Sequence, residues 1–482
     1  MPALRYHCSS THPHFANLLQ LLLLSHGFER SASLQAADWS LLWYAGQIDP
    51  MKLRALRPSQ LCSKFPNSGC LTTKSQLWTT FERMQRKHGA RHFGFVASSF
   101  VFPEQAADLE ECMKAEARAE ARGAVAEAER RGNGPRDAAD AEGPAGAAQG
   151  DHATKGSGVA EGSGTTEGGG AAGSVWIVKP VASCRGQGIT LHRSADGALP
   201  ADVACRRGIA SRYIHPPYLV DGRKVDLRLY VLVTSWRPLV LYLHTSGLAR
   251  LATAAYSLSE LGDASKHLTN YSINKYAIKE AAVRAEAAAA AGGDGAHLSG
   301  AASVCDGPKL SLEAFRAILE KDVGEARATE AWRRIDAAIA KCVLAAEPMM
   351  GSACQTYVPS NGCGCFQLFG FDVMLDASLN PWVIEVNLDP SLATDSPLDL
   401  EVKASVLTDL LNVVDAGNPK REGLAPAVAA RDDAAVVRLV DAELRRARGG
   451  GWQRLLPSPR SGEFVPFMEP SRAPLNELPF EV

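Results

Sequence analysis

Residues 366–399 read FQLFGFDVMLDASLNPWVIEVNLDPSLATDSPLD, and this stretch restricts the fold more than any other in the chain. Two strand-like runs, Leu368 to Leu375 and Trp382 to Val386, are separated by Asp376, Asn380 and Pro381, residues that end strands and make turns. Asp372 lies on the first run, and Glu385 and Asn387 on and just past the second. Glu385 and Asn387 are two residues apart, so their side chains leave one face together, and Asp372 can meet them from the paired strand. Carboxylate and carboxamide oxygens with no His or Cys nearby are hard ligands, suited to Mg²⁺ held jointly with nucleotide phosphates. Taken alone, the stretch also fits a plain hairpin with two acids at a solvated edge.

The rest of the chain supplies a core for this hairpin. Its 482 residues are 46% hydrophobic, which allows a large core and roughly two to four domains. The net charge of −2 favours no class of partner. Aromatic and basic residues are not interleaved, so nucleic-acid stacking is not expected. Eleven cysteines without a repeated CxxC pair read as reduced thiols. The apolar run at 18–24 is broken by Gln20 and is too short to span a bilayer. It also lacks a basic leader and a small-residue cleavage site. A soluble intracellular protein with no membrane partner is expected.

Residues 14–105 read as globular. Residues 15–24 suit a helix ended by Gly27, 39–44 a strand, and 74–88 a helix with Leu77, Phe81 and Met84 at helical spacing. Residues 93–102 alternate towards a strand stopped by Pro103. From about 113 to 173 the composition shifts to Ala, Gly, Glu and Arg, first as a solvated helix and then as a linker too polar to offset its ordering entropy. Residues 281–302 form a second insertion of this kind. Strands are expected at 175–181, 224–233 and 239–244, the last two joined by a turn at 236–238. Helices are expected within 310–346 (two), at 401–414 and at 434–448, the last basic at its C-terminal end as the helix dipole favours. The division expected is an N-terminal domain at 1–105, an insertion at 106–174, a central unit at 175–220, a C-terminal unit at 221–465 and a tail at 466–482.

Phosphate chemistry is suggested by WIVKPVASCRGQGITL, residues 176–191, a strand, a glycine-punctuated loop and a second strand. Lys179 can neutralise phosphate, Gly186 and Gly188 let backbone N–H groups close over it, and Arg185 adds charge. The order of a Walker loop is absent, and a tight hairpin fits the same residues. In residues 210–235, ASRYIHPPYLVDGRKVDLRLYVLVTS, Tyr213 and Ile214 lie in an extended segment whose backbone can pair with a purine edge. Lys224, Asp226 and Arg228 alternate with Val225, Leu227 and Leu229, so three charges share one face of a strand that otherwise reads as buried. Charges there are costly unless paired or liganded, which favours a phosphate-and-carboxylate site over an exposed edge of mutual salt bridges. Arg250 and Thr269-Asn270 add a cation and two polar groups, while His267 reads as structural.

A strand lysine, a glycine loop, a hinge, a Lys-x-Asp-x-Arg strand, Thr-Asn and Asp…Glu-x-Asn follow one another in the order of an ATP-grasp ligase. That is an α+β fold in which two α+β subdomains clamp ATP. The chain resembles the tubulin tyrosine ligase-like family, and within it the polyglutamylases. VDGRKVDLRLYVLVTS, GLARLAT, HLTNYSINK and GFDVMLD with PWVIEVNLDPSLATDSPLD carry the resemblance. FPNSGCLTTKSQL, Phe100 to Pro103 and RRARGGGWQRLLPSP are similar to the family's flanks, so most of the chain outside the two insertions is covered.

The resemblance implies an ATP-grasp core preceded by a small α/β N-terminal domain. It implies Lys179 and Lys224 on the phosphates of ATP, Arg185, Gly186 and Gly188 in the phosphate loop, and Ser211, Arg212, Tyr213 and Ile214 at the adenine hinge. Asp226, Thr269 and Asn270 occupy further ATP-contacting positions. Arg250, Lys309 and Lys403 match positions that hold the incoming amino acid, and Asp372, Glu385 and Asn387 match a two-Mg²⁺ site bridged by Glu385. Three positions depart from the pattern: Ser211 where Gln is usual, Val225 where Phe is common, and Asp389 where Ser is frequent, which adds a negative charge near the metals.

The implied activity is ATP-dependent ligation of free L-glutamate to glutamate side chains of tubulin tails through an acyl phosphate, with Arg228 stabilising that intermediate or its tetrahedral successor. A monomer in the cytoplasm and cytoskeleton, or at a cilium or basal body, is expected. A glycylase would share the ATP site but need a less cationic amino-acid pocket; Arg250 and KASVL around Lys403 favour glutamate. A non-catalytic microtubule or ciliary scaffold would lack nucleotide-dependent stabilisation, and the flanking motifs disfavour a small-molecule ligase.

Overall fold

The computed structural model describes residues 4–10, 12–36, 38–132, 174–180, 187–269, 309–359, 364–418, 420, 423–471 and 473–481. Its spine is the long strand Arg223–Trp236. On one side this strand pairs antiparallel with Gln367–Leu375. On the other it pairs with Leu248–Leu251 near its start and Leu239–His244 near its end. Pro381–Asn387, Trp452–Leu456 and Lys309–Ser311 extend the sheet outward.

Alternation along the spine assigns its two faces. Leu227, Leu229, Val231 and Val233 enter the main hydrophobic cluster with Ile335, Ile339 and Val343 of the helix Glu325–Tyr357. That helix is long and apolar enough to cross a membrane by length and composition, yet most of its apolar window is buried within the fold. Tyr230 and Leu232 belong to the opposite face and cluster with Val402, Val406 and Leu410 of the helix Pro397–Val413. Lys224, Asp226 and Arg228 alternate onto this second face, so it changes from charged to apolar half-way along one strand.

Two smaller sheets flank the spine. Gly364–Cys365, Leu61–Cys62, Leu41–Trp43, Arg5–Cys8 and Glu29–Arg30 form a parallel sheet in that order. The helix Pro13–Ser25 buries Leu18, Leu19 and Leu23 while Leu21 and Leu24 face solvent, and the chain leaves it through Gly27 at φ +80°. The helix Lys74–His88 buries Leu77, Trp78, Phe81 and Met84. Ser99–Phe102, Gly208–Arg212, Val175–Pro180 and Thr190–Arg193 form an antiparallel sheet. Leu109 and Met113 of the helix Ala106–Gly132 pack on its Trp176 and Val178.

Two boundaries differ from the sequence reading. The alternation at 93–102 becomes a short helix, Ala90–Phe93, and a strand beginning only at Ser99. Phe93 and Phe95 instead enter an aromatic cluster with Phe81, at centroid distances of 6.2 and 5.2 Å. Ser99–Phe102, grouped by sequence with the N-terminal unit, is an edge of the antiparallel sheet. Gly364–Cys365 makes the reverse crossing into the N-terminal sheet.

The late glycine run closes the fold. Gly451 N–H donates to Asp409 at 2.8 Å, and His244 Nε2 lies 3.0 Å from the same carboxylate oxygen. A Cβ on Gly451 would stand 2.6 Å from His244 Cε1 and 2.7 Å from Thr245 Oγ1. Gly451→Ala is therefore expected to cost about 1–3 kcal/mol through overpacking, read as a lowered denaturation midpoint with little change in slope.

Candidate active site

Strand register assembles the site from distant parts of the chain. Asp226 stands opposite Arg250, and Arg228 opposite Asp372. Asp372 in turn faces Glu385, and Gly370 faces Asn387. Arg250 grips Asp226 through two hydrogen bonds of 2.7 Å and reaches Asp372 at 2.9 Å. Arg228 Nε donates to Asp372 Oδ1 at 2.6 Å and Nη2 to Oδ2 at 3.2 Å. Thr269 Oγ1 donates to Asp226 at 2.7 Å. Burial alone would raise the Asp372 carboxyl, but Arg228 and Arg250 overcome that and hold it well below the usual carboxylate range. Of the three charges that sequence flagged as costly, Asp226 and Arg228 are thus paired across strands.

Beside this network lie two buried lysines. Lys224 Nζ donates to the Tyr213 hydroxyl at 2.9 Å and stands 4.2 Å from its ring centroid. Burial, then the neighbouring Lys179, push the Lys224 amine down to about 7 against the pull of Asp226. Lys179, at the end of Val175–Pro180, is also pushed down by burial, with Glu385 opposing. The Tyr213 hydroxyl meets His267 Nδ1 at 3.0 Å, and His267 Nε2 lies 3.0 Å from the Glu260 carbonyl. His267, which by sequence has no ligand partner, therefore fixes Tyr213 and through it Lys224.

Trp78, Ile177, Ile214, Met374 and Val383 line an apolar slot between the two antiparallel sheets, with Lys179, Lys224, Ser211 and Tyr213 on its wall. Its apolar lining and its two lysines suit an apolar ring carrying an anionic tail. Ser211 Oγ is bonded to Ser99 Oγ at 2.7 Å. Arg212 engages Glu116 and lies over the Trp176 ring at 5.0 Å. Gly188 has φ +72°, and a Cβ there would stand 3.0 Å from Pro180 Cγ. Arg185, Gly186 and Asn270 lie outside the described residues.

At the acidic end, Glu385 Oε2 pairs with Lys74 at 3.1 Å, and Asn387 Nδ2 donates to the Gly370 carbonyl at 3.2 Å. Among the described residues no three His, Cys, Asp or Glu side chains cluster for a metal, so a cation here needs Asn387 as the third donor. The chemistry fits: Glu385 keeps Oε1, Asn387 keeps Oδ1, and Asp372 has one lone pair beyond its three arginine contacts, all hard oxygens. Lys74 was missed by sequence reasoning; its one signal was its place in FPNSGCLTTKSQL.

Lys309 and Lys403 converge on one buried carboxylate, Asp399, at 2.6 and 2.8 Å. Lys309 neighbours Arg250 in register, so the cations assigned to an amino acid do come together. Asp399 was not singled out from sequence; it lies at the start of the helix capped by Ser396. Asp389 corrects an expectation. It does not add free negative charge beside the acidic trio, because Lys64 pairs with it at 2.5 Å and Gly46 N–H donates to it at 2.7 Å.

Comparison with known proteins adds an independent line. The Tubulin-tyrosine ligase family matches residues 51–289 and 296–422. Tubulin polyglutamylase TTLL5 of Homo sapiens is 32% identical over 409 residues, 83% of this chain and 25% of that protein. Tubulin monoglutamylase TTLL4 of Homo sapiens is 32% identical over 390 residues, 80% of this chain and 26% of that protein. Tubulin polyglutamylase TTLL6 of Mus musculus is 36% identical over 252 residues, 50% of this chain and 27% of that protein. The chain thus spans about a quarter of the length of these relatives.

The environment of Lys224 has a stability consequence. From about pH 7 up to the ordinary lysine range, the unfolded chain keeps a proton here that the folded chain has released. The unfolded state binds more protons, so this group makes stability rise with pH across that window. Lys224→Met is expected to gain less stability than the parent between about pH 7 and pH 9.5, measured by thermal unfolding at both values.

Proposed function

The chain belongs to the tubulin-tyrosine ligase family, and on that premise we propose that it is an ATP-dependent ligase joining free L-glutamate to glutamate side chains of tubulin tails. The names of its relatives, tubulin polyglutamylases and a tubulin monoglutamylase, support this substrate class. The observation that carries the reading is the register-built row Asp226–Arg250–Asp372–Arg228 beside an apolar slot walled by Lys179 and Lys224.

In this reading the slot takes the adenine, with Ser211 to Ile214 along its edge, and the two antiparallel sheets close on ATP as the subdomains of an ATP-grasp fold. Lys179 and Lys224 neutralise the phosphates. Asp372, Glu385 and Asn387 would hold two Mg²⁺ ions, whose charge favours phosphoryl transfer. The acceptor carboxylate attacks the γ-phosphorus, ADP departs, and an acyl phosphate results. The amine of free glutamate attacks the acyl carbon, loses a proton and releases phosphate, leaving an isopeptide bond. Arg228 spends Nε and one Nη2 hydrogen on Asp372, so its other N–H groups are available to a developing oxyanion. A positioned donor of this kind is worth about 3 kcal/mol.

Glutamate suits the amino-acid pocket better than glycine. Arg228, Arg250, Lys309 and Lys403 face three carboxylates, Asp226, Asp372 and Asp399, which leaves the cluster one positive charge in excess. Free glutamate, singly negative once its ammonium group is counted, balances that excess, whereas glycine, net neutral, leaves it unanswered. Its setting is read as the cytoskeleton, a cilium or basal body included, with the chain acting as a monomer; residues 281–302 and the part of 106–174 beyond the helix that packs on Trp176 are read as insertions outside the catalytic core.

Glu385→Gln keeps the shape and the Lys74 contact but removes the charge. It is expected to abolish ATP-dependent glutamate incorporation into tubulin while thermal unfolding stays near that of the parent. Retained turnover in this variant would contradict the assignment of Glu385.

A further inference from the structure

Lys64 is buried in the N-terminal unit, its side chain only 4% exposed, yet its partner belongs to the strand end that carries Asn387. Lys64 Nζ pairs with Asp389 Oδ1 at 2.5 Å and donates to the Leu388 carbonyl at 3.1 Å. The other Asp389 oxygen accepts Gly46 N–H at 2.7 Å, so both oxygens are tied to the N-terminal unit. The next residue is pressed onto the sheet: a Cβ on Gly370 would stand 2.9 Å from Pro390 Cβ and 3.4 Å from Arg228 Cδ. Gly370 is also the register partner of Asn387 and accepts from its amide. Residues 388–390 are therefore clasped between Lys64 on one side and Gly370 with Arg228 on the other.

We infer that Lys64 and Asp389 are a coupled pair of positioning residues, through which the N-terminal unit sets Asn387 and Arg228 in the site. The departure at Asp389 then has a partner. A carboxylate at that position meets a lysine amine that burial pushes down and Asp389 pulls back up. Neither residue touches the reacting atoms; each acts through the placement of the strand end. The inference rests on reading Asn387 as a metal donor, so its test separates the two ideas.

The experiment titrates Mg²⁺ against a non-hydrolysable ATP analogue and follows analogue binding by calorimetry, with thermal unfolding measured in parallel. Lys64→Met, Asp389→Asn, the double variant and Glu385→Gln are compared with the parent. Each single change at the clasp is expected to raise the Mg²⁺ concentration needed for half-maximal tightening by roughly tenfold, the scale on which partners of metal ligands act. The double variant is expected to be no worse than the poorer single one, because the two residues act as a unit. Asp389→Asn, which keeps the shape and is the gentler change, serves if Lys64→Met does not fold. An unchanged Mg²⁺ requirement in folded clasp variants, with Glu385→Gln still impaired, overturns the clasp alone. Additive losses also overturn it. An unchanged requirement in Glu385→Gln overturns the metal reading on which the clasp depends.

Discussion

Asp372 buried between two arginines is the interaction on which the rest of the site depends. Arg228 and Arg250 come from neighbouring strands and share this carboxylate, and Arg250 binds Asp226 as well. Four ions at one place inside a sheet are costly to desolvate, and losing one partner from such a set typically costs about 3–5 kcal/mol. They persist because each charge meets an opposite one across a strand pair, Asp226 with Arg250 and Arg228 with Asp372. The stability for this comes from the other half of the strand, where Tyr230 and Leu232 are sealed under the helix Pro397–Val413. One strand therefore carries both the core and the chemistry.

The cations around this network come from three different units. Lys179 arrives on the four-stranded sheet, Lys224 on the spine, and Lys74 and Lys64 from the N-terminal unit. The parallel sheet is thus joined to the acidic hairpin by charge as well as by packing, and Gln367 adds to this by accepting from Phe65 N–H and Ser68 Oγ. Where ammonium groups meet without enough carboxylate, as at Lys179 and Lys224, burial lowers their affinity for protons. A polyanionic phosphate chain is the natural counter-charge for such a pair.

What could be read from sequence follows from what is local. Alternation at Lys224, Asp226 and Arg228 shows one charged face, and the hairpin of Asp372, Glu385 and Asn387 shows an oxygen cluster. The partners could not be read, because register is a long-range property: Arg250 lies 24 residues from Asp226, Arg228 144 from Asp372, and Lys64 325 from Asp389. Asp389 was misjudged for that reason; its neutralising lysine is invisible from its own neighbourhood. Asp399 was passed over because its motif position explains it as part of a helix start, while its contacts join two distant lysines. The strand expected at 93–102 forms only from Ser99 on, because aromatic residues at alternate positions also satisfy an aromatic cluster, and at Phe93 and Phe95 the cluster with Phe81 won.

The most direct measurement of the central claim is mass spectrometry of tubulin tail peptides after incubation with the protein, ATP, Mg²⁺ and equal amounts of free glutamate and glycine. The structure-based account predicts glutamate added through the side chain of a tail glutamate, and only when ATP is present. Glycine added in its place, or unmodified tails despite measurable nucleotide binding, would contradict it.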